Sequence, residues 1–267
     1  MSSSTAIACV DGVAFWSPRL PGWEVASAIL AGMAEAPAAA ARRPAPALLP
    51  PTERRRAPDT VAPAIEVAAR ACAAAAMRPA ELASVFATTH GDLAITDYLC
   101  ANLLESPLHT SPTRFHNSVH NAAAGYWCIA VGCHAPYTTV SVAGYSFGAG
   151  LLEALAQLAS SAKPVLFVAY DAEAVGPLAS LVSSSGMVGA ALVLAPRRSS
   201  ATVAELHWSL GCEGPPQATG ASPRNASLVS GNAMAAALPL FEALARHTGV
   251  VTLAAGPSLS LRLRIAQ

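Results

Sequence analysis

Charge is what this sequence has least of. Only 12% of its 267 residues are Asp, Glu, Lys or Arg, and 16 basic residues balance 16 acidic ones. A nucleic-acid-binding domain carries a basic excess that replaces phosphate counterions, so no nucleic-acid partner is expected. The same balance argues against a polybasic membrane-surface protein. Lysine is reduced to Lys163 alone in a chain rich in Ala and Arg, the mark of a GC-rich coding genome rather than of a function. The six cysteines, Cys9, Cys72, Cys100, Cys128, Cys133 and Cys212, contain no C-x-x-C pair. Neither a metal site nor a disulfide framework is expected from them; they read as thiols packed in a reducing cytoplasm. No apolar run reaches the length of a membrane span. The opening MSSSTAIACVDG lacks the basic-then-apolar pattern of a signal peptide. A cytoplasmic chain without cofactor or metal is the expectation.

What is abundant is apolar surface, 53% of the residues. Disorder is thereby excluded, and a large core with at least one obligate interface is expected. Strands are expected at 6–16, 84–89, 138–142, 163–170, 188–194, 201–210, 250–253 and 259–265. Helices are expected at 59–76, 92–105, 121–131, 151–160 and, amphipathic, 232–247. Residues 36–58 read as a surface connection, with the Arg54-Arg55-Arg56 run as solvation. Strands alternating with helices make a layered α/β domain.

The turn Gly144-Tyr145-Ser146-Phe147-Gly148 matches G-x-S-x-G, the nucleophile elbow of serine hydrolases, and it stands between a strand and a helix. Ser146 would need a His and an acid after it in the chain. Asp171 ends the very next strand, His247 falls inside a helix, His207 lacks a fitting context, and no oxyanion segment precedes the elbow. The triad is not completed, and a serine thioesterase or α/β-hydrolase using Ser146 is the second reading.

A larger pattern surrounds the same turn. Asn121-x3-Gly125-x3-Ile129-x2-Gly132-x3-Pro136 runs into Thr139-Val140-Ser141-Val142-Ala143, and Phe115-His116-Asn117-Ser118-Val119-His120-Asn121 precedes it. Together with the 186–194 strand GMVGAALVL, these residues resemble the N-terminal half of the β-ketoacyl synthases. More narrowly they resemble the short ketosynthase-like proteins of aryl polyene and xanthomonadin-type pigment clusters. The resemblance implies a thiolase-like layered α-β-α fold, truncated in its second half. It implies one domain over 1–267, with 1–195 like the ketosynthase N-terminal half and 196–267 a reduced remnant.

In that family the elbow carries a catalytic cysteine, and two later histidines bind and decarboxylate malonyl units. The alignment puts Gly144 at the cysteine position, so the elbow Gly144-Tyr145-Ser146 has no nucleophile and Ser146 is structural. His207 and His247 have the wrong neighbours to be the pair. The resemblance therefore implies a catalytically inactive chain-length-factor subunit. Its partners would be a full-length ketosynthase with a Cys-His-His site and, through the complex, an acyl carrier protein. Asn121, Gly125, Thr138, Thr139, Val140, Ser141 and Val142 would form the interface. Tyr98, Leu99, Leu103 and Leu104 read as core, with a tunnel-lining role for Ile95, Tyr98, Leu99 and Leu103 as the alternative.

Four local expectations complete the reading. Gly144 occupies a left-handed position, and Ser146 bonds backbone at the helix start. Asn121 caps the helix after it, and His116 and His120, which at i, i+4 could clamp a metal if helical, lie on an extended approach with structural hydrogen bonds.

Overall fold

The computed structural model describes residues 5–38, 43–182, 184–212 and 214–267. In chain order the elements are β1 (Ala6–Ser17), β2 (Leu20–Pro21), α1 (Trp23–Leu30), α2 (Pro51–Arg56), α3 (Val61–Ala74), β3 (Ala83–Ala87), α4 (Leu93–Glu105), α5 (Pro112–Asn117) and α6 (Ala122–Val131). They continue with β4 (Tyr137–Val140), α7 (Ser146–Ser161), β5 (Val165–Asp171), β6 (Val188–Ala195), β7 (Ala204–Gly211), α8 (Leu238–Ala245), β8 (Gly249–Ala254) and β9 (Ser260–Ala266).

The sheet follows the order β4-β3-β5-β6-β1-β7-β9-β8. β4, β3 and β5 are parallel, and every later pair is antiparallel. β1 is the hinge of this arrangement. Cys9 to Trp16 pair with β6, while Ala6 to Val10 pair with β7. A register shift between Val10 and Gly12 leaves Asp11 out of the ladder. Its carboxylate, buried at 1% exposure, accepts the hydroxyls of Ser199 at 2.8 Å and Thr202 at 2.6 Å. The bulge thus ties the β6–β7 connection to the sheet.

β5 and β6 are buried on both faces, as strands covered by helices must be. One face packs on α3 and α6 around Trp127, Phe86 and Tyr170. The other packs on α1, α7 and α8 around Phe15, Phe147, Phe167 and Phe241. The inward side chains of β7, β8 and β9 join this second cluster, so α7 and α8 are sandwiched between the two parts of the sheet. β9 alternates buried Leu261, Leu263 and Ile265 with exposed Arg262 and Arg264, leaving its outer face to water. Glycine makes the sandwich tight: a Cβ on Gly148 of α7 would strike the backbone of Ala254 in β8.

Several boundaries differ from expectation. The 36–58 connection contains α2, opened by Pro51 at the first helical position. α7 starts at Ser146 rather than 151, because the Gly-rich segment 146–150 packs as helix against β3 and β5. β4 ends at Val140, so Ser141 and Val142 belong to the turn, not the strand. The 232–247 helix shrinks to α8, with a 3-10 turn at Ala235–Ala237 before it. All eight of its residues are buried, so it is not amphipathic; it lies inside the sandwich. α4 has no fully buried residue. Tyr98, Leu99, Leu103 and Leu104 are therefore not core: the helix packs mainly on α5 and neighbouring turns, with Leu103 59% and Leu104 87% exposed.

Candidate functional site

The C-terminal ends of parallel β3, β4 and β5 converge, and the elbow stands there. After Val140 the chain passes Ser141 and Val142, makes a 3-10 turn at Ala143–Tyr145 and enters α7. The left-handed residue is Ala143, at φ 40°, and not Gly144. The turn places its backbone strain on a residue with a methyl group. Gly144 is exposed, and a Cβ built on it would have no neighbour within 4 Å. Neither residue can act as a nucleophile.

Ser146 closes the turn from below. It is 1% exposed; its Oγ accepts the Val142 N–H at 2.9 Å and donates to the Ala143 carbonyl at 2.9 Å. Both functions of the hydroxyl are spent on the turn backbone, as expected of a residue at a helix start. No imidazole is among its hydrogen-bond partners in the described residues. His247 lies past the end of α8 at φ 55°, not inside the helix, because the chain reverses there into β8. His207 lies on β7, paired with Ile7 and Arg264.

Behind the elbow stands Asp171, the last residue of β5 and fully buried. Its carboxylate accepts the Thr88 hydroxyl at 2.8 Å and the backbone N–H groups of Thr89 at 2.8 Å and His90 at 3.3 Å. Burial pushes its pKa above the usual carboxylate range, and these hydrogen bonds pull the other way without cancelling the shift. The Thr89 carbonyl in turn accepts the Ser141 hydroxyl at 3.0 Å. A chain of bonds thus runs from β5 through the loop after β3 to the start of the elbow. Sequence reasoning met Asp171 only as a poor triad acid. Its signal was an acid closing a continuous apolar strand, where burial demands partners.

The remaining expected interface residues lie at one edge of the sheet. Among the described residues β4 pairs with β3 and with no other strand. Thr138 accepts the Gln157 side-chain amide at 3.0 Å, on the α7 side. Thr139 and His120 Nε2 are 3.0 Å apart. Asn121 stands at the N-cap position of α6 without capping it; its amide donates to the Tyr137 hydroxyl at 3.3 Å instead. Gly125 has open space where a Cβ would be, and Ile129 one turn on is 84% exposed. His116 is helical, on α5, rather than extended, because Ser111 accepts the Arg114 N–H and Pro112 starts the helix. Among the described residues no three His, Cys, Asp or Glu gather as metal ligands.

α4 begins on Asp92, whose carboxylate accepts the Ile95 N–H at 3.0 Å and the Thr60 hydroxyl at 3.2 Å. Ile95, Tyr98 and Leu99 are half-buried. The Arg114 guanidinium stacks 3.8 Å above the Tyr98 ring. Leu99 and Leu103 line a hollow of about 430 Å³ with Thr110, Pro112 and Phe115. Leu104 at 87%, Leu108 at 95% and Phe115 at 64% exposure surround it. Leu103, Leu104, Leu108, Phe115, Val119, Ile129 and Tyr137, all exposed, thus lie on α4, α5, α6, β4 and the turns between them. The cysteines near the elbow are packing residues: Cys133 is buried against the Leu82 carbonyl, and burial raises the Cys128 thiol pKa.

This geometry coincides with what the comparisons find. Residues 30–256 match the β-ketoacyl synthase N-terminal domain, and the chain belongs to that family. No curated protein matches it. A chain of the ketosynthase (ApeO)–chain length factor (ApeC) complex from Xenorhabdus doucetiae superimposes with a TM-score of 0.71 at 20% identity, covering 96% of this chain and 98% of that one. The ishigamide ketosynthase/chain length factor gives 0.68 at 15% identity, covering 97% and 99%. A β-ketoacyl synthase from Burkholderia phymatum STM815 gives 0.66 at 13%, covering 99% and 100%. The fold is thus the thiolase-like fold of ketosynthases. No helix among the described residues is long and apolar enough to cross a membrane.

Proposed function

We propose that this chain is the non-catalytic, chain-length-factor subunit of a heterodimeric β-ketoacyl-acyl-carrier-protein synthase. The observation that carries the reading is the elbow. A ketosynthase-type turn leads into α7, yet the exposed Ala143 and Gly144 carry no nucleophilic atom, and the Ser146 hydroxyl is turned inward. Condensation needs a thiolate to hold the growing chain, and stabilisation of the charge that develops on the thioester oxygen and on the decarboxylating malonyl unit. In this reading the partner supplies them from its Cys-His-His site, and an acyl carrier protein delivers the chain to that partner.

The uncovered apolar face supports the second half of the proposal. β4 with Thr138, Thr139 and Val140, the turn residues Ser141 and Val142, and α6 with Asn121 and Gly125 form the docking surface. Ile95, Tyr98, Leu99 and Leu103 then face the joint between subunits and line the tunnel that limits the number of malonyl units added. The product class is an aryl polyene or similar polyunsaturated chain made in the cytoplasm. Within the chain, 1–195 corresponds to a ketosynthase N-terminal half. Residues 196–267 are the reduced second half, its sheet open to water on one side.

Co-expression with each ketosynthase of the source genome, followed by light scattering and product analysis, tests this. The expected result is a 1:1 complex whose product length changes when Leu103 is enlarged to Trp. A stable monomer that ignores every such ketosynthase would refute the reading.

A further inference from the structure

A groove of about 620 Å³ runs between α2, α5 and α6. α6 lines it with Ala122 and Gly125, where a Cβ on Gly125 would meet nothing within 4 Å, and Leu48 and Val119 line it too. Glu53, Arg56 and His116 lie at its rim, none of them in an ion pair among the described residues. Asn117 is 3% exposed and lines the same groove, and its Oδ1 has no hydrogen-bond donor. An apolar floor with a polar rim is the anatomy of a hot-spot pocket. The groove ends at Tyr137 of the edge strand, and Ile129 and Val119 at its side are 84% and 48% exposed. It is therefore continuous with the docking surface described above, but adds α2, which the sequence marked only as a solvated connection.

We infer that this groove receives a segment of the partner ketosynthase, anchored by one bulky apolar or aromatic side chain over Gly125 and carrying a hydrogen-bond donor for Asn117. The inference rests on the heterodimer reading and names the feature that selects the partner. Gly125 is the determinant because its missing Cβ opens the floor. Its backbone is helical and right-handed, so larger residues fold there without strain.

The test uses the full chain and each Cys-His-His ketosynthase of its source genome. Affinity is measured for the parent, Gly125→Ala and Gly125→Phe, with hydrogen exchange of residues 137–142 in the complex. Gly125→Phe is expected to fill the groove and weaken binding about 30-fold or more, and Gly125→Ala far less. The unfolding midpoint of each free variant should equal or exceed the parent's, since glycine disfavours a helix interior. Parent-like binding by Gly125→Phe, with residues 137–142 protected, overturns the groove and leaves the edge-strand interface standing. Parent-like binding with 137–142 unprotected overturns both, as does the absence of any complex. A homodimer of the chain alone that Gly125→Phe dissolves assigns the groove to a second copy and overturns the inference.

Discussion

Gly144→Cys returns a thiol to the elbow and separates the geometry of a nucleophile from the chemistry of condensation. The side chain has room: a Cβ there meets nothing within 4 Å, and the φ of Gly144 is not left-handed. Stability should change by no more than about 0.5 kcal/mol, the usual range for exposed substitutions. The thiol would lie just ahead of α7, a helix of 16 residues. A helix N-terminus stabilises a nearby anion by about 0.3–1 kcal/mol. At 1.36 kcal/mol per pKa unit this lowers the thiol by about 0.2–0.7 of a unit, raising the thiolate fraction near pH 7 about 1.5- to 5-fold. Iodoacetamide labelling followed by peptide mass spectrometry reads this directly, with the exposed Cys100 and Cys212 as internal standards. The new thiol should react faster than either, by less than that factor because a less basic thiolate is a weaker nucleophile, and accept an acyl group slowly from a thioester donor. It should not extend that group when the single subunit is given malonyl carrier protein, because the two histidines that follow the elbow in the chain are held elsewhere: His207 lies on β7 and His247 past the end of α8. Elongated products from the purified variant alone would refute the assignment of an inactive site.

Three further outcomes follow from particular contacts. Gly148→Ala should destabilise the chain by about 1–3 kcal/mol, because its Cβ would lie within 3.3 Å of Ala255 Cα and closer still to Ala254; urea unfolding beside the neutral Gly144→Ala checks it. His247→Gly should stabilise by about 0.5–1 kcal/mol by relieving the left-handed position that ends α8; a lower melting temperature would contradict this. Asp171 has a native pKa raised above its unfolded value, so the native state takes up its proton first. Its contribution is fully present below the unfolded pKa and is lost as pH rises through the native one. The stability difference between the parent and Asp171→Asn should therefore shift in the parent's favour on going from pH 7 toward 4, and a shift the other way would show that the hydrogen bonds from Thr88, Thr89 and His90 outweigh burial.

Ser146→Ala gives a complementary outcome. Removing a hydroxyl that bonds only the turn backbone should cost about 0.5–1.5 kcal/mol of stability while leaving product formation by the complex intact. Thioester hydrolysis by the isolated chain that disappears in this variant would restore the hydrolase reading.

Local sequence determined the elements and the elbow. The unbroken apolar runs of β5 and β6 announced strands covered on both faces, and the Leu–Arg alternation of β9 announced one open face, because side-chain period and burial are coupled within a few residues. The resemblance around 111–146 placed a turn without a nucleophile, since a missing thiol is visible in the residue names alone. Tertiary structure decided what depends on distant partners. That α8 is buried all round follows from its place between two parts of one sheet, which its own residues do not encode. That α4 is uncovered follows from its packing on α5 and neighbouring turns, which leave none of its residues fully buried. Ala143 rather than Gly144 takes the left-handed conformation because Ser146 pins the turn from the helix side. Asp171 became a support of the elbow only when β3 was laid beside β5, joining residues more than eighty positions apart. Pairings at such separations arise from chain folding, whose hydrogen bonds and close packing leave no periodic trace in the sequence between them.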